Sequence, residues 1–128
     1  NIVIIKLGTN DSKPENWQHG AAFERDLQAM VDTLQQLPSH PRIFLATPIP
    51  AFKPTWNIND SVLVHAITPI IAKVARKKHC DFIDLHQLAG LTSNDVQPDG
   101  IHPTATGAAR IAETIYPFIL QKRHIHRR

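Results

Sequence analysis

Apolar and polar positions alternate along this chain with two distinct periods. Residues 1–7 (NIVIIKL) are a nearly continuous apolar run rich in β-branched side chains, ended by Gly8. Such a run predicts a strand buried on both faces of a parallel sheet. Residues 43–47 (IFLAT) and 81–85 (DFIDL) predict two more strands. Between them the period lengthens. Phe23, Leu27, Met30, Val31, Leu34 and Leu37 recur at three- and four-residue steps, with Glu24, Arg25, Gln28, Asp32 and Gln35 interleaved, which predicts an amphipathic helix. Leu63, Ala66, Ile67, Ile70, Ile71, Val74 and Ala75 predict a second, capped by Asn59 or Asp60 and kinked or broken near Pro69. Ala108, Ile111, Ala112, Ile115 and Ile119 predict a third, capped by Thr104.

The order β-α-β-α-β-loop-α implies parallel strands joined by crossovers, with helices on both faces. At 128 residues the chain is read as one domain, residues 1–128. Three strands make a narrow sheet. A first strand as apolar as a central one predicts that an upstream strand, or a second chain, covers its free edge.

Three stretches lie at the C-terminal ends of the predicted strands, where ligands bind in open α/β sheets. The first is the polar turn Thr9-Asn10-Asp11-Ser12; the second is the proline-rich loop 48–56, which carries Phe52 and Trp56. With Trp17, these aromatics could form a sugar platform or simply anchor loops. The third is Pro98-Asp99-Gly100-Ile101-His102-Pro103. Pro103 disfavours helical geometry at His102, and Gly100 permits a tight turn that can bring the Asp99 carboxylate under the imidazole. A carboxylate on one ring nitrogen fixes the tautomer and leaves the other free as a general base. A solvated turn is the alternative. For Asn10 and Asp11 the alternative is a strand-ending Asx turn.

Composition narrows the classes. The 42% hydrophobic and 20% charged residues are ordinary for a globular chain. The apolar runs look too short to cross a bilayer, and no membrane partner is expected. The net charge of +3 is concentrated at the end, where six of residues 122–128 are Lys, Arg or His. A solvated helix end explains them, and no nucleic-acid partner is expected. Cys80, the single cysteine, excludes an internal disulfide and a cysteine-based zinc site, and its apolar neighbours predict a buried, inert thiol. His19, His40, His65, His79, His86, His124 and His126 show no carboxylate cluster at ligand spacing, so neither metal nor cofactor is expected.

The runs Gly8-Thr9-Asn10-Asp11 and Asp99-Gly100-Ile101-His102-Pro103, in this order and on these elements, resemble two blocks of the SGNH (GDSL-type) hydrolase superfamily. The resemblance runs from the first strand to the last helix. It is closest to carbohydrate-esterase-like, sialate O-acetylesterase-like members in residues 8–17 and 48–56. It implies a flavodoxin-like, three-layer α/β/α sandwich with a parallel sheet, lacking N-terminal strands. It further implies hydrolysis of acyl esters, O-acetyl groups on carbohydrate above all. His102 would match the base, Asp99 its orienting acid, Asn10 the oxyanion donor, and Gly8 the glycine of that turn. The family's nucleophile block is not matched. Ser12, Ser39, Ser61 and Ser93 lack its context and read as turn or cap residues, so the chain alone is expected to be inactive. The resemblance suggests a periplasmic or secreted setting, and the open sheet edge leaves self-association available. The rival function is a non-catalytic module that binds glycan or protein on the same scaffold.

Overall fold

A computed structural model describes residues 1–122; His124, His126 and most of the basic tail lie outside the described residues. Three parallel strands, β1 (Ile2–Lys6), β2 (Arg42–Ala46) and β3 (Asp81–Ile83), form a sheet in that order. The register pairs Ile4 with Phe44 and Leu45 with Phe82. Helices α1 (Pro14–Trp17) and α2 (Gly20–Gln35) link β1 to β2. Helices α3 (Asp60–Val62) and α4 (Thr68–Lys78), joined by a π turn at Leu63–Ile67, link β2 to β3. Helices α5 (Leu85–Leu88) and α6 (Ala105–Leu120) follow β3.

The alternation within β2 divides the core in two. Ile43 and Leu45 meet Leu27 and Val31 of α2 and Leu63, Ile67, Ile71 and Val74 of the π turn and α4. Phe44 and Ala46 face the other way, with Ile83 and Leu85, towards Ile111, Ile115, Phe118 and Ile119 of α6. A strand sends successive side chains to opposite faces, so this double burial yields three layers.

Several sequence expectations are redrawn. Strand β1 has the free edge expected of it but is not buried on both faces: Ile5 is buried, while Ile2 and Ile4 are 48% and 40% exposed. Ile4 shares the face of Phe44, but α6 does not reach across to cover it. The third strand ends at Ile83 rather than Leu85, because the Asp84 side chain accepts from the Gln87 amide and starts α5. On α6 the inward stripe is Ile111, Ile115, Phe118 and Ile119, whereas Ala108 and Ala112 are exposed. The bulkier residues take the buried side. Pro69 falls in the first turn of α4, where its missing N–H is tolerated, and the preceding π turn takes up the irregularity. The helical run Thr55–Lys78 is long and apolar enough to cross a membrane by length and composition, contrary to the reading of short runs. Packing of its Leu63, Ile67, Ile71, Val74 and Ala75 against the sheet accounts for that apolarity. Cys80 is half-buried rather than buried.

Arg42 ties the far end together. Its guanidinium meets Asp81 with Nε–Oδ2 at 2.9 Å and Nη2–Oδ1 at 3.2 Å. It also donates to the Gln121 carbonyl at 2.6 Å and lies 4.6 Å from the centre of the Phe44 ring. One side chain thus joins β2, β3 and the C-terminal end of α6.

Candidate active site

The turn carrying Asp99 and His102 is a short closed loop. Val96 and Pro103 form an antiparallel bridge. Within it, the Gln97 amide donates to the His102 carbonyl and the Gly100 amide donates to the Gln97 carbonyl, both at 2.8 Å. Gly100 has φ +76°, and a Cβ there would fall 2.6 Å from Cγ of Lys53. Only glycine satisfies both the left-handed backbone and that close approach.

Inside this loop Asp99 collects three donors. Its Oδ1 accepts the Ile101 amide at 2.8 Å and the His102 amide at 3.0 Å, and its Oδ2 lies 2.7 Å from Nδ1 of His102. The Ile101 amide, then the His102 ring and amide, hold the carboxyl down from an ordinary 3.8 to about 2. An ionised carboxylate only accepts, so Nδ1 carries the hydrogen, and in the neutral ring the lone pair then falls on Nε2. The His102 side chain is 61% exposed, and Nε2 makes no hydrogen bond among the described residues. The solvated-turn alternative, in which acid and imidazole never meet, is not the structure adopted.

Asn10 opens a 3-10 turn, Asn10–Ser12, at the same C-terminal edge of the sheet. Its backbone carbonyl accepts from Asn16 Nδ2 at 2.8 Å and from the Lys13 amide at 3.3 Å. Its exposed side-chain amide makes no hydrogen bond among the described residues, and neither Asn10 nor Asp11 forms an Asx turn. Gly8 is buried with φ +134°, and a Cβ on it would come 2.9 Å from Ile67 and 3.1 Å from Pro48.

Ser12 is fully buried and committed. Its Oγ donates to the Thr9 carbonyl at 2.7 Å and accepts the Asn59 amide at 3.0 Å. It pins the Asn10 turn to the start of α3 and leaves no free hydroxyl. Ser39, Ser61 and Ser93 are exposed, in the turn before β2, in α3 and in the Ser93–Asp95 turn respectively.

The loop between β2 and α3 braces the Asp99 turn, a role that no local pattern announced. The Phe52 amide donates to the Gly100 carbonyl at 2.9 Å. Thr55 Oγ1 donates to the Asp99 carbonyl at 2.6 Å, and Lys53 Nζ donates to the Pro98 carbonyl at 2.7 Å. Trp56 lies edge-to-face with the His102 ring, 6.0 Å between centres. Trp17 is elsewhere, packed on Phe23 at 6.1 Å, and Phe52 packs against the α6-side core. Of the three aromatics singled out in the sequence, only Trp56 stands beside His102. Below the turn, Thr92 and Asp95 form a capping box, and the Asp95 carbonyl accepts from the Thr104 amide and Oγ1. The Thr92-Ser93-Asn94-Asp95 spacing was the readable signal for it.

Residues 1–110 match the GDSL-like Lipase/Acylhydrolase family. The chain belongs to that family. As a GDSL-like acylhydrolase-family chain it is 46% identical, over 89% of its length, to an acetylxylan esterase of Xylanibacter ruminicola. It spans only 27% of that relative. The fold is that of a crystallised acetyl xylan esterase, AlAXEase, with a TM-score of 0.71 at 24% identity, covering 93% of this chain and 67% of that one. The parallel sheet between helical layers is therefore the SGNH-type α/β fold.

Proposed function

We propose that this GDSL-like chain supplies the base-bearing part of an esterase that removes acetyl groups from a xylan-type carbohydrate. The observation that carries the reading is the 2.7 Å contact between Asp99 and Nδ1 of His102, in an exposed imidazole whose Nε2 makes no hydrogen bond among the described residues. The similarity to an acetylxylan esterase supports the choice of acyl group and alcohol.

In this reading a serine hydroxyl from outside residues 1–128 attacks the acetyl carbonyl carbon as Nε2 of His102 takes its proton. The carbonyl π electrons move onto oxygen, and the side-chain amide of Asn10 donates to that oxyanion. The tetrahedral adduct collapses, and His102 gives the proton to the departing sugar oxygen. Water, deprotonated by the same nitrogen, then attacks the acetyl-serine carbon, and as acetate leaves the proton passes from His102 back to the serine oxygen. Asp99 holds the ring and stabilises the imidazolium without taking the proton itself. Gly8 lets the turn set Asn10 at the sheet edge.

The test is acetate release from acetylated xylo-oligosaccharide by the full-length protein. His102→Ala should abolish turnover, and Asn10→Ala should cost about 3 kcal/mol of barrier, on the order of a hundredfold in kcat. Residues 1–128 alone should hydrolyse esters at the uncatalysed rate, since Ser12 is engaged and the other serines are remote in role. A folded full-length protein that binds xylo-oligosaccharide without turnover would instead make it a carbohydrate-binding module.

A further inference from the structure

Trp56 is built in a way that packing does not require. It is 56% exposed, so the indole contributes little to the core. Its backbone is left-handed, at φ 53° and ψ 29°, and Asn57 follows at φ 62°. Bulky side chains avoid that region, and residues held there cluster where a side chain must be aimed. The conformation is fixed from both flanks. On one side lie the bonds from Phe52, Lys53 and Thr55 to the Asp99 turn. On the other, the Asn57 amide donates to the Pro54 carbonyl, the Ile58 amide donates to the Thr55 carbonyl, and the Ile58 side chain is buried. The product of this restraint is an exposed indole standing 6.0 Å from the His102 ring, at 73° between planes.

We infer that Trp56 is the platform for the sugar ring that carries the scissile acetyl group. This rests on the esterase reading above and deepens it by assigning the alcohol subsite. An all-equatorial pyranose presents axial C–H groups on each face. An aromatic face buries them and attracts the polarised hydrogens, while the equatorial hydroxyls stay free for solvent and acyl substitution. The indole and imidazole planes cross at 73° with centres 6.0 Å apart, so a sugar ring held on the indole lies close to the base.

The alternative role for the same contact is simply to steady His102, and the two separate experimentally. In the full-length protein, kcat and KM would be compared for acetylated xylo-oligosaccharide and for ethyl acetate, which carries no ring to stack. For a platform, Trp56→Ala should raise KM for the oligosaccharide on the order of tenfold with kcat little changed. Ethyl acetate kcat/KM should stay within about threefold, and Trp56→Phe should recover most of the loss. Calorimetry with deacetylated xylo-oligosaccharide should show binding by His102→Ala and not by Trp56→Ala. Equal losses on both esters with a displaced pH profile would overturn the platform and make Trp56 a brace. Absence of turnover by the unsubstituted protein, with binding still lost in Trp56→Ala, would sink the esterase reading while keeping the platform.

Discussion

Asp99 combines two tasks in one carboxylate. One oxygen closes its own turn through two amides, and the other engages His102, so the acid shapes the loop that presents its partner. The sign of its linkage to stability follows. Its pKa is about 2 in the fold against an ordinary 3.8, so across that window the unfolded chain binds more protons. Its contribution is therefore complete above about pH 4 and fades as pH falls towards 2. Thermal melts of the protein and of Asp99→Asn should differ by a constant amount from pH 6 to 4, then converge below. In turnover by the full-length protein, Asp99→Asn removes the acceptor that fixes the tautomer and should lower kcat by roughly 10²- to 10⁴-fold. Both members of this pair were legible because they sit three residues apart around a glycine and before a proline. The braces were not. Thr55 and Lys53 reach Asp99 and Pro98 across more than forty residues of sequence, and nothing periodic in 48–58 marks a contact at that range. Ser12 was hidden likewise, since its acceptor role depends on Asn59.

At the scale of elements, the long periodic segments were readable and the single-turn ones were not. Asn59 and Thr104 cap helices as their positions foretold, accepting from the Val62 and Gly107 amides. Helices α1 and α5 are four residues each, too short to show a period of 3.6. On α6 the pattern places Ile111, Ile115 and Ile119 inward, as they are, but takes Ala108 and Ala112 with them, because alanine and isoleucine count alike in an apolar pattern whereas burial favours the larger side chain. Arg42 shows what holds elements to one another. Arg42→Met keeps the stem over Phe44 but strands the Asp81 carboxylate and frees the Gln121 carbonyl. Denaturant unfolding should record a loss of about 2 kcal/mol. Pairing it with Asp81→Leu should return part of that loss, because the double variant leaves no unpaired charge.

Across the whole molecule the sheet is covered unevenly. The α2 and α4 layer spans all three strands, while the α6 layer stops short of β1 and leaves Ile2 and Ile4 in the open beside an unpaired edge. Tyr116 and Leu120 on α6 are 60% and 64% exposed as well. An uncovered apolar edge is a template for another strand. Sedimentation velocity of residues 1–128 should therefore show reversible, concentration-dependent association, and Ile4→Lys should return it to monomer without loss of helical content. An unchanged distribution in Ile4→Lys would rule the edge out as the contact.

The bonds from 52–55 to the Asp99 turn, and from Ser12 to Asn59, also bear on protein engineering. Residues 48–58 are not a removable cassette. A transplant of this loop from another scaffold would arrive without the side chains that meet the Pro98 and Asp99 carbonyls. The chimera would then loosen the turn that holds Asp99 against His102. A workable exchange would have to move the loop, the turn and residue 12 as one inherited unit.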